Sequence, residues 1–79
     1  MRTEKFFKVT TGSKTYKIKV VETAKGLFGG KKIWRLYKAS YTDIFPTYSH
    51  LLDCEDINRI GESIRIAIPN CKNIEVINQ

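Results

Sequence analysis

One histidine, two cysteines and two prolines in 79 residues leave this chain little with which to do covalent or metal chemistry. Cys54 and Cys71 lack a C-x-x-C spacing, and with His50 and Asp53 they are the only soft or borderline ligand candidates. Structural zinc sites use tighter Cys/His pairs, so neither a metal nor another cofactor is expected. His50 follows Tyr48 and Ser49. A nucleophile needs a base within reach and a third group to orient that base, and two neighbours in sequence do not supply this. A non-enzymatic protein is therefore expected. Long apolar runs are also missing: the longest is three residues, at 66–68, against the roughly 20 that a membrane-spanning helix requires. Met1–Lys8 has neither an apolar core nor a small-residue cleavage pattern, so no secretion signal is read there. The expected location is cytoplasmic, with both thiols free.

Acidic residues are scarce in one half only. Residues 1–40 hold eleven Lys or Arg against Glu4 and Glu22, a net +9, while residues 41–79 hold three basic residues against six acids, a net −3. A basic half on a small domain sets up a positive field that suits a polyanion or an acidic protein surface. Ten Ile, ten Lys and four Asn are the bias of an AT-rich genome, of the kind that carries small stand-alone proteins on phages and mobile elements. At 79 residues the chain makes a single domain with a thin core, which favours a surface site over a deep cleft.

The alternation of Phe7 and Val9 with Lys8 and Thr10 predicts a strand over about 4–11. Thr11-Gly12-Ser13-Lys14 has the composition of a hairpin turn. Tyr16, Ile18 and Val20 alternate with Thr15, Lys17 and Lys19, the clearest period-2 run, predicting a second strand over about 14–24. Residues 25–32 (KGLFGGKK) hold three of the five glycines and read as a loop. Trp34, Leu36, Tyr37 and Tyr41 mark a third strand over 33–42. Residues 43–52, with Pro46, read as an irregular crossing segment. Asp53 has the place of a helix N-cap, with Asp56 three residues on. Ile57, Ile60, Ile64, Ala67 and Ile68 then fall on one helical stripe, and Pro69-Asn70 stops it. Ile64, Ile66 and Ile68 also alternate as a strand would, but the complete stripe favours the helix. Ile74 and Val76 predict a last short strand. The expected fold is α+β: a small antiparallel sheet in the order β-β-β-α-β with one helix packed on one face.

One helix covers one face of such a sheet and leaves the other open. With Phe7, Val9, Tyr16, Ile18, Val20, Trp34 and Leu36 under the helix, the open face would present Lys8, Lys17, Lys19 and Arg35, with Phe6 and Tyr37 among them. Cations neutralise phosphates and release counterions, and rings accept stacked bases. Lys25, Lys31 and Lys32 in the glycine-rich loop would add to that site. The bland alternative is that strand lysines solubilise the face and block edge pairing. Leu27 and Phe28 would stand at the loop tip and suit a protein partner. The Gly26-x-x-Gly29 spacing is that of the backbone-clamping loop of KH domains, but that loop joins two helices and this one two strands. The P-loop spacing is absent. Arg59, Glu62 and Arg65 predict an ion-pair ladder on the helix exterior. Two functions are therefore expected: nucleic-acid binding, to RNA or DNA, through the Lys/Arg/aromatic sheet face, or a protein-binding inhibitor or adaptor of the phage or mobile-element type acting on an acidic surface. Homodimerisation through the open face fits either.

Overall fold

The computed structural model of the chain describes residues 4–23 and 33–77. It contains one five-stranded antiparallel sheet and one helix. The strands are β1 Glu4–Thr10, β2 Thr15–Glu22, β3 Trp34–Ser40, β4 Ser49–Cys54 and β5 Asn73–Ile77, and the helix α1 is Ile60–Ala67. Their order across the sheet is β4-β3-β2-β1-β5, so the element order is β-β-β-β-α-β.

The hairpin between β1 and β2 forms where the turn composition places it. Thr11 uses both its backbone and its side chain: its N–H and its hydroxyl each donate to the Lys14 carbonyl, and its Oγ1 accepts from the Lys14 N–H at 2.9 Å. That turn fixes the register that sets Phe7 opposite Ile18 and Val9 opposite Tyr16. β3 continues it with Leu36 opposite Val20, and β5 with Ile74 opposite Val9. The in-phase residues Val9, Ile18, Val20 and Leu36 are fully buried, and they meet Ile60, Ile64 and Ile68 in one core. The third strand thus has the expected phase, with Trp34 and Leu36 inward and Arg35 and Tyr37 outward.

The expected order lacked β4, and residues 49–52 form its first part rather than part of an irregular crossing. β4 escaped the pattern because its alternation is broken. Leu36 pairs with Leu52, but the next residue, Tyr37, pairs with His50. Leu51 is therefore an extra residue, a β-bulge. Both Leu51 and Leu52 pack against the core, which a regular strand does not allow for adjacent residues.

The helix start also differs from expectation. Asp53 and Cys54 belong to β4, so Asp53 is not the cap and Cys54 is not in a first helical turn. The cap is Asp56: its backbone is extended, and its side-chain carboxylate accepts the Asn58 N–H at 2.9 Å. A 3-10 turn, Ile57–Arg59, leads into α1. Two residues, Glu55 and Asp56, separate the edge strand from the 3-10 turn, and only the second of the two aspartates lies beyond the end of β4. Residues 63–67 are helical, against the rival strand reading, and the stripe faces the sheet as expected, with Ile60, Ile64 and Ile68 buried and Ile57 and Ala67 packed against them. Of the expected ladder on the outside, Arg59 and Glu62 pair at 3.4 Å. Among the described residues no helix is long and apolar enough to cross a membrane.

Candidate functional site

The face turned away from α1 takes residues from all five strands, β4 supplying its margin. From β1 it takes Glu4, Phe6 and Lys8; from β2 Lys17 and Lys19; from β3 Arg35, Tyr37 and Ala39; from the margin of β5 Glu75. Lys8 and Lys17 stand directly opposite each other, and Lys19 stands opposite Phe6 on one side and Tyr37 on the other. The residues expected on this face are thus brought together on it: Phe6, Lys8, Lys17, Lys19, Arg35 and Tyr37. Lys25, Lys31 and Lys32, and the tip residues Leu27 and Phe28, lie outside the described residues, as does the Gly26-x-x-Gly29 spacing.

Each lysine of this face is matched to a ring. The Lys17 Nζ lies 5.3 Å from the centre of Phe6, Lys8 lies 5.0 Å from Tyr41, and Lys19 lies 5.0 Å from Tyr48. Such contacts hold an ammonium in place for about 0.5–1 kcal/mol at exposed sites. Lys38, also counted in the basic half of the chain, is in phase with the helix side and sits over Tyr16. The charge split along the sequence therefore overstates the charge on this face.

Acids stand at its margins. Glu75 is opposite Lys8 on β5, Asp53 is opposite Arg35 on β4, and Glu4 ends the β1 row. At the β4 margin the Asp53 carboxylate accepts from His50 Nε2 at 2.8 Å and lies 3.8 Å from Arg35 Nε, while the His50 ring meets Tyr37 edge-on at 5.6 Å. Residues three apart on a regular strand point to opposite faces. His50 and Asp53 share a face only because Leu51 is bulged between them. Cys54 points the other way, into the core, so the four sequence-level ligand candidates are split between two faces.

The face is not fully open. Ala39 points outward yet is only 5% exposed. The segment 41–48, between β3 and β4, returns across it. Its first residue continues the ladder, with the Tyr41 N–H donating to the Thr15 carbonyl at 3.2 Å, and its ring lies under Lys8. Its last, Tyr48, lies under Lys19. Partial burial and then the nearby Glu4 carboxylate raise the Tyr48 phenol above its ordinary pKa, because both disfavour the phenolate. A raised value in the folded state means that the contribution to stability is whole below pH about 10 and is lost as pH rises through the folded value. In an absorbance titration Tyr48 should ionise above the ordinary phenol value. Tyr48→Phe should remove that late step and Glu4→Gln should bring it part of the way down. A titration that neither change alters would contradict this course of the segment.

Between its two anchored ends this segment carries Ile44 and Phe45, 87% and 90% exposed. The sequence reading did not single them out. The available signal was the pair Tyr41 and Tyr48 bracketing a Pro46-containing stretch, aromatic anchors around an apolar tip. Apart from this face, an open groove of about 630 Å³ at the β1–β2 turn is lined by Thr11, Ser13, Lys14, Tyr16, Ser40 and Thr42 among others, without a carboxylate or imidazole. Among the described residues no group of three or more His, Cys, Asp or Glu is arranged to hold a metal ion.

No protein-family model matches the chain, and no curated protein or solved structure matches it.

Proposed function

We propose that the chain is a non-catalytic nucleic-acid-binding protein and that the ligand's phosphates lie along the lane formed by Lys8, Lys17 and Lys19. The observation that carries this reading is the direct opposition of Lys8 and Lys17. Like charges facing across a strand pair weaken the sheet by a few tenths of a kcal/mol or more. An anion placed between them turns that cost into attraction. Edge protection does not account for them, because β1 and β2 are interior strands; the edges are β4 and β5. Acids offset this only in part: Glu75 faces Lys8 from β5, but Lys17 faces Lys8 on one side and Ala39 on the other, and the Arg35–Asp53 pair lies at the β4 margin.

Fluorescence anisotropy against labelled single-stranded RNA, single-stranded DNA and duplex DNA across a salt series tests the proposal. Binding that persists near physiological salt and discriminates among the three is the expected result. Log K should fall with log salt by about 0.7 per phosphate contacted on a single strand. Binding that is absent, or that vanishes equally for all three as salt rises, overturns the proposal and turns the search to an acidic protein surface.

A further inference from the structure

We infer that the ligand of this face is single-stranded and that Phe45, with Ile44 beside it, is where an unpaired base stacks. This rests on the reading of the face as a nucleic-acid site and adds the class of ligand and the residue that holds its bases.

The width of the sheet argues first against a duplex groove. Five strands spaced about 4.8 Å apart span about 19 Å, against a major groove about 12 Å wide. A two-stranded ribbon enters such a groove; here β1 and β2 are flanked by β3 and β4 on one side and β5 on the other. The segment 41–48 further covers part of the face. A single strand is narrow enough to follow the lysine lane.

The rings built into the sheet surface are already in use. Phe6, Tyr41 and Tyr48 each have an ammonium over the ring, and Tyr37 is met by His50. A base stacking on one of the first three displaces the cation that would hold its phosphate. Among the described residues no cation or ring is placed over Phe45. It is the most exposed large apolar side chain among the described residues, and leaving a side chain of that size in water forgoes roughly 2–3 kcal/mol of burial. Phe45 is three residues from Tyr48, so its Cα is within about 11 Å of that anchor. That bound keeps the tip within reach of a strand seated over Lys19, which lies above Tyr48.

A ligand that satisfies both must present flat apolar surfaces along an anionic thread. Unpaired bases on a phosphate backbone do so, and stacking on an aromatic side chain is worth about five- to 150-fold in affinity per base. A broad anionic surface, such as a lipid headgroup layer, would also meet Glu4, Asp53 and Glu75 at the margins. A single strand along the lane passes between them.

The test uses the full chain and four probes: a single-stranded oligodeoxynucleotide, an abasic oligomer of the same length, a duplex, and phosphatidylserine-containing vesicles. The wild-type protein should prefer the base-bearing single strand. Phe45→Ala should weaken that complex on the order of tenfold or more, leave abasic binding and the salt slope unchanged, and leave the denaturation midpoint where it was, since the side chain is exposed. Phe45→Trp should restore affinity. If the single strand is bound, charge reversal of Lys17 and Lys19 abolishes binding, and Phe45→Ala loses nothing, the stacking inference falls while the nucleic-acid reading stands. If the duplex is preferred, the ligand class is wrong. If no oligomer binds even at low salt, the underlying reading falls and this inference with it. Vesicle binding that Phe45→Ala abolishes would assign the tip to lipid and overturn it.

Discussion

Reversing Lys17 and Lys19 to glutamate is expected to lower affinity for single-stranded nucleic acid on the order of 100-fold or more. Two charge-assisted phosphate contacts, at about 1.5–3 kcal/mol each, are lost, and two repulsions replace them. The salt slope should flatten by about 1.4, the share of two contacts on a single strand. The fold should tolerate the change. Each reversal gives up a cation–π contact worth about 0.5–1 kcal/mol, but a glutamate at position 17 would face Lys8 and relieve a like-charge pair. Lys38→Glu is the control. It removes two units from the net +6, as Lys17→Glu alone does, yet Lys38 is in phase with the helix side and sits over Tyr16. Compared singly with Lys17→Glu, it should cost little. Equal losses from the two would mean that binding reads the total charge of the molecule and not this face.

The second large effect is on stability and settles the phase of residues 63–68 in solution. Ile64 is fully buried and Ile66 is 75% exposed. Ile64→Ala should cost about 2–5 kcal/mol, the transfer loss plus the cavity left behind. A domain of this size sits toward the low end of the usual 5–15 kcal/mol, so the variant should lose about half or more of its stability. Ile66→Ala should stay within about 0.5 kcal/mol of the parent. Denaturant titrations of the two read the difference directly. Comparable costs at 64 and 66 would mean that the two share a face, as they would on a strand.

Much of the fold was legible because burial imposes a period on the sequence. The run from Thr15 to Val20 alternates cleanly since β2 is an interior strand with one face on the core and one on solvent, and the same constraint made the phase of β3 readable from Trp34 and Leu36. The helical stripe from Ile57 to Ile68 follows from the same rule at a different period. β4 was illegible for the converse reason: its bulge makes Leu51 and Leu52 both core residues, so the segment has no period to read. The error at the helix start follows from it. Asp53 and Asp56 are equally good caps by composition, and only the knowledge that an edge strand runs to Cys54 separates them.

For the candidate site, the sequence by itself determined the ingredients. Alternation dictated that Lys8, Lys17, Lys19, Arg35, Phe6 and Tyr37 would share the face away from the helix, because the side-chain period of a strand is fixed. Tertiary structure decided what those ingredients are to one another. Register, set by the Thr11–Lys14 turn, put Lys8 against Lys17. Strand order made β1 and β2 interior, so their lysines protect no edge. It also assigned Lys38 to the other face and brought acids to the margins, which the count of charges along the chain does not convey. The bulge at Leu51 joined His50 to Asp53, and the return of residues 41–48 placed Tyr41 and Tyr48 under two of the lysines with Ile44 and Phe45 exposed between them. Each of these depends on contacts between residues far apart in the chain, and a local period carries no information about such pairings.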